Sequence, residues 1–150
     1  RSGTENVPYA VGMAKALNLS QEHREERNAH CRALRDRLLG GICESIEIAE
    51  PTGHPTQRLP HIASLTFANI EGESVLLNLD MQEICASAGS ACSATSLEPS
   101  HVLQAMGIPV HRARGALRLS VGHRNTPAEI EYVLELLPGI VSQLRAMAVV

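Results

Sequence analysis

The chain has 150 residues, 44% of them hydrophobic and 19% charged, and its 13 basic and 16 acidic side chains give a net charge of −3. A chain of this size and balance is predicted to form one globular domain that buries roughly two thirds of its unfolded surface, and the charge makes no electrostatic case for nucleic acid or an anionic membrane as partner. Tyr9, Phe67 and Tyr132 are the whole aromatic set, too few for a base-stacking platform or an aromatic cage.

No apolar run reaches the roughly 20 residues of a membrane span. The first residues, RSGTENVPYA, lack the charged-then-apolar order of a signal peptide. Cysteines at 31, 43, 85 and 92 are too few and too irregular for a secreted disulfide framework. A cytoplasmic protein with reduced thiols is expected.

In chain order, apolar residues at Val7, Ala10, Val11, Ala14 and Leu17 fall at the spacing of one helix face and predict a first helix between Thr4 and Leu19, with Thr4 and Pro8 near its start. Ser20 reads as the cap of a second, charged helix with a narrow stripe of Cys31, Leu34 and Leu38, and Gly40-Gly41 as its left-handed stop. Residues 42–49, ICESIEIA, read as a strand, and 51–60, with three prolines, as a surface loop. HIASLTFANI predicts a strand through Leu65 and Phe67, and EGESVLLNLDMQ a helix through Val75, Leu76 and Leu79.

A short strand is expected around Ile84, then a loop of small residues, then a short helix opened by Pro99 and Ser100 and closed at Gly107. ALRLSVG at 116–122 alternates as a strand should, with Leu117, Leu119 and Val121 on one face. Thr126-Pro127-Ala128-Glu129 is a capping box that opens a last helix through Ile130, Val133, Leu137 and Val141, with a kink expected at Pro138. The predicted class is α/β or α+β: a small sheet covered by helices, without repeats or an interdomain linker.

The stretch CASAGSACSATSLEPSH at 85–101 carries the candidate chemistry. From Ala86 to Ser96 every residue except Cys92 is Ala, Ser, Gly or Thr, so little there can anchor the segment to a core, and a mobile loop is expected. Free cysteines are usually small buried residues. That reading suits Cys31, and Cys43 and Cys85 in or beside strands, whereas Cys92 has no apolar neighbours and is equally open to a reactive role. The seven-residue separation of Cys85 and Cys92 does not match structural zinc spacing, and the seven histidines form no ligand motif, so no metal site is expected.

Arg118 alternates with Leu117 and Leu119 and therefore points to the opposite face. It is either an exposed strand arginine or a carboxylate anchor, since a guanidinium on a strand offers a rigid two-pronged donor. Arg112, Arg114 and Arg124 lie near it in sequence and add positive charge.

Taken together, RSGTENVP at 1–8, SAGSACSATSLEPSHVL at 87–103 and ALRLSVGHRNTPAEI at 116–130 resemble the C-terminal part of the cysteine desulfurases, in the class with a long cysteine loop that serves iron–sulfur cluster assembly. The resemblance spans the whole chain. It implies the small C-terminal domain of a pyridoxal-phosphate enzyme of the aspartate-aminotransferase fold (fold-type I), which converts L-cysteine to L-alanine. By the same resemblance, Cys92 would hold the sulfur as a persulfide and Arg118 would bind the substrate carboxylate. Thr4 would reach the cofactor phosphate of the neighbouring subunit in a homodimer. An iron–sulfur scaffold or another acceptor protein is the implied partner.

The sequence departs from that family in one respect that matters to the chemistry. Twelve arginines stand against one lysine, Lys15, and pyridoxal phosphate needs a lysine for its Schiff base. In the family that lysine lies just before the RSGT motif, with which this chain begins. Residues 1–150 are therefore expected to be a C-terminal fragment that lacks the large cofactor-binding domain and is inactive alone. Some members carry a further tail that helps dock the scaffold, and because the sequence stops at Val149-Val150, scaffold docking through such a tail is not expected of residues 1–150. A cofactor-free sulfur carrier or interaction module, and a thiol redox switch using Cys85 and Cys92, are the alternatives.

Overall fold

The structure, a computed structural model, describes residues 2–88 and 99–147. Cys92, and with it most of the stretch expected to be a mobile loop, lies outside the described residues.

Two long helices come first, α1 (Val7–Glu22) and α2 (Arg24–Ser45). Asn6 caps α1, its side chain accepting from the Tyr9 amide at 3.2 Å. Ser20 lies inside α1, and His23 alone separates the two helices; no glycine or proline stands between Leu19 and Gly40 to stop propagation. The Gly40-Gly41 stop predicted from sequence does not occur. Ile42 continues the stripe of Leu34 and Leu38, and all three are buried, so the helix runs on through residues first read as a strand. Gly41 faces helix α6 (Pro127–Met147), where an added Cβ would come within 2.6 Å of Leu134 Cδ1. The missing side chain there serves close helix packing rather than a left-handed turn.

Among the described residues the sheet has four antiparallel strands, β1 (Ala49–Pro51), β2 (Ile62–Phe67), β3 (Ser87–Ala88) and β4 (Ala116–Ser120), in the order β1-β2-β4-β3. The strand expected around Ile84 starts instead at Ser87. Glu83 turns the chain with φ of +61° and the Ile84 amide bonds back to the Leu79 carbonyl at 3.0 Å, so this backbone closes helix α3 (Gly72–Asp80) instead of joining the ladder.

Alternation divides the sheet into two faces. Ala63, Leu65 and Phe67 of β2 and Leu117 and Leu119 of β4 form one core with the inner residues of α2, α3 and α6 (Pro127–Met147), among them Leu38, Ile42, Val75, Leu79, Leu137 and Val141. Among the described residues, the other face carries only a small cluster, in which Ala116 meets Leu103 of α4 (His101–Ala105) and Ala113 of α5 (Val110–Ala113). Helix α5 had no expected counterpart, being a single turn with no periodic signal.

The last helix begins as its sequence dictates: the Thr126 amide donates to Glu129 Oε2 at 2.7 Å and the Glu129 amide to Thr126 Oγ1 at 3.3 Å. It continues through Pro138, whose ring removes the bond to the Leu134 carbonyl. Helix α1 forms as expected, but among the described residues nothing covers its apolar stripe: none of its residues is buried, and Val7, Val11 and Leu17 are each more than half exposed.

Candidate functional site on the open face of the sheet

With Leu117 and Leu119 committed to the core, β4 projects Arg118 onto the sparsely covered face. Register places Ser64 of β2 on one side of it and Ser87 of β3 on the other. The Ser64 hydroxyl accepts from Thr52 Oγ1 at 2.7 Å, so a row of hydroxyls crosses the sheet with the guanidinium at its middle. Arg118 Nη2 donates to Ser87 Oγ at 3.3 Å.

Arg118 has no acidic partner among the described residues. Four of the other arginines show the contrast, whereas Arg27, Arg32, Arg114 and Arg124 are, like Arg118, without an acidic partner among the described residues. Arg37 grips Glu131 with two bonds of 2.7 Å across α2 and α6. Arg35, buried, binds Asp36 and the Leu59 carbonyl, and Arg145 donates to the carbonyls of Ala68 and Glu47. Arg112, expected to add positive charge beside Arg118, is committed to Glu50 at 2.6 Å and to Thr66. Arg118 is thus held on a strand with most of its five N–H donors uncommitted among the described residues, which is what bidentate capture of a carboxylate requires.

Thr4 is exposed in the segment before α1, and Cys92 lies outside the described residues. Cys31 is buried on α2, as expected, but Cys43 and Cys85 are exposed, Cys43 on the helix rather than in a strand. Partial burial, and then the charge of Glu44, raise the Cys43 thiol above its ordinary value, so it is less readily ionised. Cys85 lines a cleft of about 620 Å³ together with Leu119, Ser120, Glu129 and Tyr132. Among the described residues no three His, Cys, Asp or Glu side chains cluster as metal ligands, and no helix is long and apolar enough to cross a membrane.

Sequence reasoning missed the bond from Arg118 to Ser87. A two-residue strand leaves no periodic signal, so only the register of the folded sheet discloses it.

The family model of the class-V aminotransferases matches residues 1–133. The chain belongs to that family. Within this class-V group, it is 48% identical over 148 residues to a cysteine desulfurase of Gluconacetobacter diazotrophicus, and 50% identical over 148 residues to the cysteine desulfurase IscS of Methanosarcina thermophila. Each match covers 99% of this chain and 37% and 36% of the relative, so the chain spans little more than a third of the length of these proteins. A solved NifS-like protein, 33% identical, superposes with a TM-score of 0.81 over 96% of this chain and 36% of its own. The small antiparallel sheet with helices packed on it is therefore the corresponding part of that fold.

Class-V aminotransferases are in general pyridoxal-phosphate enzymes. The residues described here fit part of such a site. Arg118 suits the carboxylate of an amino-acid substrate, and the exposed Thr4 hydroxyl suits a phosphate oxygen. Lys15 does not suit cofactor attachment, because it stands on α1, where no residue is buried and no wall surrounds it.

Proposed function

We propose that residues 1–150 act as the C-terminal domain of a cysteine desulfurase, supplying the substrate anchor and the sulfur-accepting thiol, while the cofactor lysine comes from a large domain outside this chain. The observation that carries the proposal is Arg118, uncommitted to any acid among the described residues and set on the same sheet as β3, which ends four residues before Cys92. The uncovered apolar stripe of α1 supports a domain that packs against further protein. L-cysteine is the substrate, a homodimer the working assembly, and a scaffold or other acceptor protein the destination of the sulfur.

Bound pyridoxal phosphate would supply the electron sink that weakens the Cβ–S bond of L-cysteine. Arg118 holds the substrate carboxylate with two parallel charge-assisted bonds and so fixes the orientation of the thiol. Thr4 donates its hydroxyl to a cofactor phosphate oxygen from the neighbouring subunit. Cys92 is the nucleophile: its thiolate sulfur attacks the substrate sulfur, an S–S bond forms as the C–S bond breaks, and the bonding pair stays on carbon, which takes a proton and leaves as L-alanine. The persulfide on Cys92 is then the form in which sulfur reaches an acceptor.

The test uses the full-length protein that contains this chain, given L-cysteine. Equal release of alanine and formation of protein persulfide is expected, and Cys92→Ser abolishes the persulfide because a hydroxyl does not replace a thiolate in sulfur transfer. Persulfide formation undiminished in Cys92→Ser contradicts the proposal.

A further inference from the structure

We infer that Ser87 is a positioning residue for substrate binding, fixing the Arg118 guanidinium from the strand that leads toward Cys92; the inference rests on the reading of Arg118 as the carboxylate anchor. The Ser87 hydroxyl donates its single proton to the Ala88 carbonyl at 3.2 Å, which turns its lone pairs outward. One of them accepts from Arg118 Nη2 at 3.3 Å. The hydroxyl is thereby an acceptor toward the guanidinium and never a competitor for the substrate carboxylate, because its proton is spent elsewhere.

The placement explains why a short hydroxyl stands here. Ser87 is directly opposite Arg118 in the antiparallel pairing of β3 and β4, where side chains on one face lie close together. A carboxylate at that position would pair with Arg118 and occupy the donors that the substrate needs. An alanine would leave a flexible exposed arginine free to sample several rotamers, each of which must be given up on binding. Serine restrains Nη2 and leaves the remaining donors uncommitted. Because Ser87 belongs to the same stretch of sequence as Cys92, five residues ahead of it, the same bond also ties the substrate anchor to the stretch that bears the nucleophile.

The experiment is steady-state kinetics on the full-length protein with L-cysteine, comparing Ser87→Ala, Ser87→Thr, Arg118→Ala and the Ser87→Ala/Arg118→Ala double variant. Ser87→Ala is expected to raise KM by about 3- to 10-fold with kcat nearly unchanged, the size of one lost hydrogen bond on an exposed face. Ser87→Thr, which keeps the hydroxyl on a residue suited to a strand, restores KM. The double variant is no worse than Arg118→Ala alone, since Ser87 acts only through that arginine. A fall in kcat at constant KM, a Ser87→Thr variant as impaired as Ser87→Ala, or losses that multiply in the double variant each overturn the inference while leaving the role of Arg118 standing. An unchanged KM in Arg118→Ala removes the anchor reading itself and the inference with it.

Discussion

Arg118 and Glu129 carry opposite kinds of information at the scale of single residues. Removing Arg118 takes a charge-assisted bidentate bond from the substrate, so Arg118→Ala in the full-length protein should lower kcat/KM by about 2 to 3 kcal/mol, roughly 30- to 150-fold. Stopped-flow measurement of cofactor absorbance should find cofactor binding unaltered, and a lost cofactor would mean that Arg118 holds the fold instead. Glu129 has a structural role. The Thr126 amide, and then the Asn125 side chain, hold its carboxyl below the ordinary value of 4.5. A lowered folded-state value stabilises the protein above the unfolded-state pKa and loses that stabilisation as pH falls through the folded-state one. Stability should therefore fall as pH drops below about 4.5, and Glu129→Gln should flatten part of that fall. Unfolding curves at successive pH values check this; part of the slope remains in the variant, because Glu131, lowered by its bond to Arg37, contributes with the same sign. A slope identical in wild type and Glu129→Gln would contradict the capping account.

Among the elements, those with strong local signals were legible in the sequence and those decided by tertiary packing were not. The capping box at Thr126, the alternation of β4 and the stripes of α3 and α6 each follow from periodicity and end chemistry. Gly40-Gly41 misled, because a glycine needed for close approach to Leu134 and a glycine needed for a left-handed stop look alike in sequence. The open site was half legible: alternation put Arg118 on the outer face, whereas its lack of an acidic partner and its bond to Ser87 depend on register.

The glycines differ in what they tolerate. A Cβ on Gly40 would meet nothing within 4 Å, so Gly40→Ala should stabilise α2 by up to about 1 kcal/mol. A Cβ on Gly115 would run into the Phe67 carbonyl oxygen, and Gly115→Ala should destabilise by about 1 to 3 kcal/mol or more. Denaturant midpoints of the two variants check the contrast, which fails if both move in the same direction. Helix α1 belongs to the same scale. With none of its residues buried, little packing supports it, and its amides in the 150-residue chain should exchange much faster than those of α2. Equal protection of the two helices would show that something covers the α1 stripe in this chain alone.

At the scale of the whole fold, one well-packed core carries a sheet whose second face is largely open among the described residues, and a helix whose apolar side none of them covers. Both features fit a domain that completes its site with other protein, as its coverage of little more than a third of its class-V relatives also suggests. The central claim is that Cys92 accepts the sulfur, and mass spectrometry of the full-length protein after reaction with L-cysteine and alkylation tests it most directly. No lysine or arginine lies between Arg58 and Arg112, so Cys85 and Cys92 share one tryptic peptide and fragment ions must assign the site. The account predicts one additional sulfur on Cys92 and an unmodified chain at Cys85; the additional sulfur on Cys85, or alanine formed with no sulfur retained on either thiol, would contradict it.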